Sequence, residues 1–158
     1  MVRIVPATEA DIGDIHGLIR SLAEYERLTD LMVATEEDTR TALFGPRAVA
    51  EVILAQVDDR TVGYALFLRN YSTFLGQSGI YLEDLFVVPA SRGQGIGRAL
   101  LAELARIAVD RGCGRLEWAV LDWNETAIGF YRRMGADVMD DWRICRLTGE
   151  ALAHVAHS

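Results

Sequence analysis

Val87-Val88-Pro89-Ala90-Ser91-Arg92-Gly93-Gln94-Gly95-Ile96-Gly97-Arg98 carries the end of an apolar strand into a glycine-rich turn that opens a helix. The first N–H groups of a helix have no intrahelical acceptor and sit at the positive end of its dipole, so they bind anions. Glycines let the backbone come close to such an anion, and Arg92 and Arg98 add charged donors. A dinucleotide fingerprint would need a third glycine where Arg98 or Leu100 stands, and a P-loop would need Gly-Lys-Ser/Thr, which is absent. The spacing present is Arg-x-x-Gly-x-Gly, at Arg92, Gly95 and Gly97.

Around this turn the chain alternates strand and helix patterns. Arg3-Ile4-Val5 predicts a first strand. Thr8 to Asp11 give a capping signal, followed by Ile12, Ile15, Ile19 and Leu22 at helical spacing. Thr35-Glu36-Glu37-Asp38 opens a shorter helix that Gly45-Pro46 ends. Val49–Val57 and Thr61–Leu68 predict a hairpin across Asp58-Asp59-Arg60. Gly79–Val88 is a strand stopped by Pro89. Gly95–Gly112 is the clearest helix, with Ile96, Leu100, Leu104 and Ile107 on one face and Gly112 as its cap. A strand over Arg115–Leu121 and a helix over Asn124–Met134, closed by Gly135, come next. Val138-Met139 and Trp142–Leu147 predict a last pair of short strands. The order implies one mixed α/β domain, residues 1–158, around a central sheet.

Composition narrows the function. Two cysteines make no disulfide framework; Cys113 reads as a small buried residue and Cys145 as strand core. The histidines, His16, His154 and His157, are scattered, so no metal site is expected. A net charge of −7 disfavours nucleic acid and favours cationic ligands. No apolar run reaches the roughly 18 residues of a membrane span. With no signal-peptide pattern at the N-terminus, a cytoplasmic protein is expected.

The loop at Arg92, Gly95 and Gly97 resembles the coenzyme A pyrophosphate loop of the GNAT superfamily of N-acetyltransferases. The likeness runs over about residues 1 to 150. Tyr81-Leu82-Glu83-Asp84-Leu85-Phe86-Val87, Ala119-Val120-Leu121-Asp122-Trp123-Asn124, Phe130-Tyr131 and Leu22-Ala23-Glu24-Tyr25-Glu26 resemble its diamine (spermidine/spermine) and thialysine acetyltransferase branch. The resemblance implies a twisted, mixed and mostly antiparallel sheet flanked by helices, acetyl-coenzyme A as acetyl donor, and a homodimer. It implies that Leu85, Phe86 and Val87 pair their backbone with the pantetheine arm, and that Gly93, Gln94, Gly95, Ile96, Gly97 and Arg98 follow Arg92 in holding pyrophosphate. Asn124, Glu125, Thr126 and Ala127 match a second coenzyme contact; Tyr131 matches the acid that protonates the departing thiolate; Glu83, Tyr25 and Glu26 match acceptor-site positions. The diamine enzymes of that branch carry an acid before an aromatic near Ser72-Thr73-Phe74; here the acid is missing and Phe74 stands where the branch usually has Trp. Together with Leu121-Asp122-Trp123-Asn124, that segment points toward thialysine-like acceptors and away from long polyamines.

The chemistry fits these groups. An alkyl amine with a pKa of about 10.4 arrives as ammonium, and only the free amine attacks. A carboxylate must hold the cation and help remove its proton, directly or through water. Neighbouring strand residues point to opposite faces, so one of Glu83 and Asp84 meets a given cleft. Glu83 is expected there; Asp84 reads equally well as a surface or interface charge. A backbone N–H near Phe86–Val87 would stabilise charge on the acetyl oxygen. Trp142 and Ile144 are candidates for the dimer interface. Two other functions share these features: acetylation of a protein N-terminus or lysine, and a non-catalytic acetyl-coenzyme A sensor.

Overall fold

β1 (Arg3–Pro6) opens the computed structural model, which describes all 158 residues, and the chain forms two compact units, Met1–Leu121 and Asp122–Ser158.

In the first unit, the Thr8 N–H and hydroxyl both donate to the Asp11 carboxylate, at 2.7 and 2.8 Å, and a 3-10 turn leads into α1 (Ile12–Tyr25). α1 buries Ile12, Ile15 and Leu18, with Ile19 and Leu22 half-buried beside them. α2 (Glu36–Phe44) starts at a capping box: Thr35 Oγ1 accepts from the Asp38 N–H at 3.1 Å, and the Thr35 N–H donates to Asp38 Oδ2 at 2.8 Å.

The sheet adds β2 (Glu51–Val57), β3 (Arg60–Ser72), β4 (Gln77–Val87) and β5 (Leu116–Trp118), in the order β1-β2-β3-β4-β5. All neighbours are antiparallel except β4 and β5, which are parallel and joined through α3 (Ile96–Asp110). Asp58 and Asp59 turn the β2–β3 hairpin with φ of 49° and 59°, the two positive values a tight type I′ turn requires. Gly63 is fixed by a close approach, since a Cβ there would meet the Phe86 carbonyl oxygen at 2.8 Å.

Directly paired strand residues share a face, so register assigns the layers. Val52, Leu54, Tyr64 and Phe86 join the apolar residues of α1 and α2 in one core cluster. Ile53, Ala55, Ala65, Phe67, Ile80 and Leu82 are buried on the other face, against which α3 packs Ile96, Leu100, Leu101, Leu104 and Ala108. The mixed, mostly antiparallel sheet between helices is therefore the architecture anticipated. β5 is shorter than the predicted Arg115–Leu121, pairing only with Ile80–Leu82 of β4.

The second unit holds α4 (Glu125–Arg133) and α5 (Gly149–Ala156). α4 agrees with the sequence pattern; α5 was not anticipated. The predicted strands at 138–139 and 142–147 do not form. A strand needs a neighbour to take its backbone bonds, and this stretch pairs with none. Its alternating residues stay exposed, Trp142 at 73% and Ile144 at 72%. Cys145, expected in a core, is exposed, and Cys113, expected buried, is half-buried. No helix of the structure is long and apolar enough to cross a membrane.

Candidate active site

β4 carries the first element of the site as a bulge. Leu66 of β3 lies opposite Asp84 while Phe67 lies opposite Leu82, leaving Glu83 as an extra residue. A bulge breaks the two-residue alternation of a strand. Leu82 faces the α3 side with Phe67, whereas Asp84 faces the α1 side with Leu66 and Tyr64. Glu83 is exposed, and its charge acts on both Tyr81 and Asp84, so it too lies off the buried α3 side. The two carboxylates thus share a face, which corrects the expectation that they point apart. Glu83 is exposed and Asp84 is half-buried.

Asp84 is not a surface charge. Its Oδ2 accepts from the hydroxyl of Tyr64 at 2.9 Å, and Tyr64 is fully buried in the core. Burial pushes the Asp84 carboxyl up to about 6; the Tyr64 hydrogen bond opposes the rise, and the charges of Glu83 and Glu26 add to it. Burial, and then the Asp84 charge, raise the Tyr64 phenol far enough to keep it a donor. Burial also raises Glu26. Three acids therefore gather where α1 ends against β4.

The end of α1 is set by a Schellman turn: the Leu28 N–H donates to the Ala23 carbonyl at 2.8 Å, and the Arg27 N–H to that of Glu24 at 3.1 Å. Arg27 takes the left-handed conformation (φ 61°) that such a turn needs. Tyr25 and Glu26 precede it, and the Tyr25 ring meets that of Phe86 with centroids 6.5 Å apart. The Arg92 guanidinium lies over both rings, 4.7 Å from Tyr25 and 5.3 Å from Phe86, and its Nε donates to the Val87 carbonyl at 2.9 Å. Arg92, expected to offer its side chain to phosphate, ties the loop to the strand end and the α1 terminus in this structure.

The loop itself has the backbone that its sequence implies. Gly93 and Gly95 have φ of 76° and 79°, a region costly for any residue with a Cβ. The Ala99 N–H is bonded to the Gly95 carbonyl at 3.0 Å, so the N–H groups of Ile96, Gly97 and Arg98 belong to the first turn, where helices lack acceptors. Beyond Leu82, β4 has no strand neighbour on its β5 side, because β5 stops at Trp118. Leu85, Phe86 and Val87 thus run along a one-sided edge that leads through the glycine loop to the first-turn N–H groups of α3. An extended arm ending in phosphates fits such a path.

In the second unit, Asn124 is buried and caps α4, its Oδ1 accepting from the Ala127 N–H at 3.2 Å. Glu125 and Thr126 complete the first turn. Tyr131 is half-buried, with its ring 5.4 Å from that of Phe130. Arg132 and Arg133 are exposed in the last turn, where they complement the helix dipole. Nowhere do three His, Cys, Asp or Glu residues gather in a way that could hold a metal ion.

Tyr64 and the buried role of Asp84 escape a reading of the sequence. The one available signal was the two-residue step from Asp84 to Phe86, which puts the acid in phase with a core aromatic.

Comparison with known proteins agrees with this geometry. The sequence model of the acetyltransferase (GNAT) family matches residues 15–136. A thialysine N-epsilon-acetyltransferase of Bos taurus is 42% identical, over 98% of this chain and 97% of its own length. An L-ornithine N5-acetyltransferase of Arabidopsis thaliana is 38% identical, over 95% of this chain and 86% of its own. An integron cassette protein from the mobile metagenome of V. cholerae superposes with a TM-score of 0.84 at 30% identity, covering 99% of this chain and 98% of that one. The chain belongs to the GNAT family and is an acetyl-coenzyme A-dependent N-acetyltransferase.

Proposed function

We propose that this enzyme acetylates the primary amine of a small cationic acceptor, a thialysine-like amino acid or a short diamine, by direct attack on the acetyl thioester. The observation that carries the proposal is the acid and aromatic cluster at the bulge: Glu26, Glu83 and Asp84 beside Tyr25. Carboxylates attract an ammonium, and the net charge of −7 draws cations toward the molecule. Relatives named for thialysine and ornithine acetylation support a compact acceptor. So does the absence of an acid near Ser72-Thr73-Phe74.

In this reading Glu83 holds the ammonium and helps to remove its proton. Gly93 to Arg98 hold the pyrophosphate through backbone N–H groups, with Arg92 bracing the loop. The backbone of Leu85 to Val87 aligns the pantetheine arm, and an N–H near Phe86–Val87 steadies the charge on the acetyl oxygen. Asn124 to Ala127 supply a second coenzyme contact, and Tyr131 protonates the leaving thiolate. Residues 1–158 act as one acetyltransferase domain, since the family match crosses Leu121 into the second unit. The enzyme works in the cytoplasm as a homodimer, using the exposed Trp142 and Ile144; light scattering at micromolar concentration should return twice the chain mass.

The test is thiol release from acetyl-coenzyme A across thialysine, lysine, ornithine, putrescine, spermidine and aminoglycosides. Thialysine, ornithine or putrescine should lead. A clear preference for spermidine would overturn the acceptor class, and coenzyme binding with no release for any amine would make the protein a sensor.

A further inference from the structure

Asp84 is the buried titratable group that the reaction as described leaves without a task. Three facts give it one. The bulge puts it on the same face as Glu83, one residue deeper. A core phenol, Tyr64, holds its Oδ2 at 2.9 Å and so fixes the carboxylate plane. The groups that face it are Tyr64 from β3, Glu83 from its own strand and Glu26 from the end of α1, two of them acids, so no lysine or arginine there satisfies its charge. A half-buried carboxylate beside two other acids, with only a neutral donor as partner, is suited to receive a positive charge or a proton.

We propose that Asp84, oriented by Tyr64, takes the proton of the acceptor ammonium that Glu83 has bound. This rests on the amine acetyltransferase reading above and assigns its proton transfer. An N–H bond of the ammonium breaks and an O–H bond forms on an Asp84 carboxylate oxygen. The electron pair of that N–H bond stays on nitrogen and becomes the nucleophile; nothing is oxidised or reduced. Tyr64 is a positioning residue, because it acts only through Asp84.

The energetics favour Asp84 over an ordinary carboxylate. Its affinity for protons, raised by burial to about 6, narrows the gap to an amine near 10.4 by about two pKa units. A carboxyl at about 6 still releases its proton to water at neutral pH, which resets the site. The exposed Glu83 lies on the way out.

The test is the pH profile of kcat/KM for wild type, Tyr64→Phe and Asp84→Asn, using the amine that releases most thiol. Wild type should lose activity below about pH 6, where Asp84 is already protonated. Tyr64→Phe removes a hydrogen bond that favours the charged carboxylate, so the acid limb should move to higher pH while the high-pH plateau stays within about threefold. A merely structural tyrosine would not move the limb. Asp84→Asn should lower kcat by roughly 10²–10⁴-fold, change KM little and abolish the limb. Should Asp84→Asn fail to fold, the Asp84 carboxyl carbon followed by NMR in wild type must titrate at the midpoint of the limb. An unmoved limb in Tyr64→Phe, a wild-type profile in Asp84→Asn or a mismatched NMR midpoint would overturn the role of Asp84 alone. A wild type that releases no thiol with any amine would overturn the amine reading beneath it.

Discussion

The glycine loop and the carboxylate bulge lie about ten residues apart, yet they are built on opposite principles. The loop is specified locally. Gly93 and Gly95 sit in left-handed backbone that needs no neighbour to explain it, and the helix behind them supplies the donors. The bulge is specified from a distance. Glu83 and Asp84 share a face only because β3 pairs with β4 in one register before Leu66 and another after it. In the function proposed, the loop would handle an anion with backbone and the bulge a cation with side chains. Variants of the two regions should therefore fail in separable ways.

An effect as large as that of Asp84→Asn should come from outside both regions. Tyr131→Phe should lower kcat by roughly 10²–10⁴-fold and leave coenzyme affinity nearly unchanged, as expected for a lost proton donor. The loss should shrink with an acetyl donor whose leaving group needs no proton. Full activity would remove Tyr131 from the mechanism.

Within the loop, Gly95→Asp should weaken acetyl-coenzyme A binding by about tenfold to a hundredfold. A Cβ at φ 79° costs about 1–2 kcal/mol, and a carboxylate there repels phosphate. Arg92→Ala should cost less, because its guanidinium rests on Tyr25 and Phe86. Calorimetry with both variants checks the order, and unchanged affinity in both would detach the loop from the coenzyme.

At the bulge, Asp84→Asn should stabilise the protein at neutral pH while it harms catalysis. A carboxyl raised in the folded state from about 3.9 to about 6 favours folding only while protonated. That contribution is complete below the unfolded pKa and disappears as pH rises through about 6. At pH 7 the charged, half-buried acid therefore costs about 2–3 kcal/mol, which asparagine relieves. Urea melts of both proteins at pH 4 and pH 7 should differ at pH 7 and converge at pH 4; equal stability at both would mean that Asp84 is better solvated than its surroundings imply.

Glu83→Gln should show the smallest change and the most diagnostic one. KM for the amine should rise and kcat fall, each by about tenfold or less, with partial recovery at higher pH as more amine arrives uncharged. Coenzyme affinity should not follow. A drop in both affinities would mean that the bulge and the loop are not separable after all.

How much of this was legible in the sequence follows the same division. Capping residues, the Asp58-Asp59 turn and the α3 face announce themselves through neighbours in the chain, and they lie where the pattern puts them. Tyr64 reads as one more aromatic in an apolar strand, and nothing local shows that its hydroxyl meets an acid twenty residues on. The alternation rule put Glu83 and Asp84 on opposite faces because it assumes an unbroken ladder, and the bulge breaks it. The same rule made strands of Val138–Met139 and Trp142–Leu147, whose alternation is real but whose ladder partner does not exist in this chain. Helix α5 is not legible in the sequence because its eight residues are too few to display a period clearly.

The early stop of β5 has a consequence for which sequence changes this enzyme tolerates. Past Leu82, one rim of β4 is answered by protein and the other by no strand. A rim of that kind recognises a guest by its amides and is indifferent to the letters printed on its own side chains. Leu85 and Val87 can then drift among residues content in a strand without disturbing the guest. Proline cannot join that drift, since it deletes the N–H that the guest would read. In the function proposed, drift beside the donor is limited by the backbone; at the acids Glu83 and Asp84, just before it in the chain, it is limited by charge.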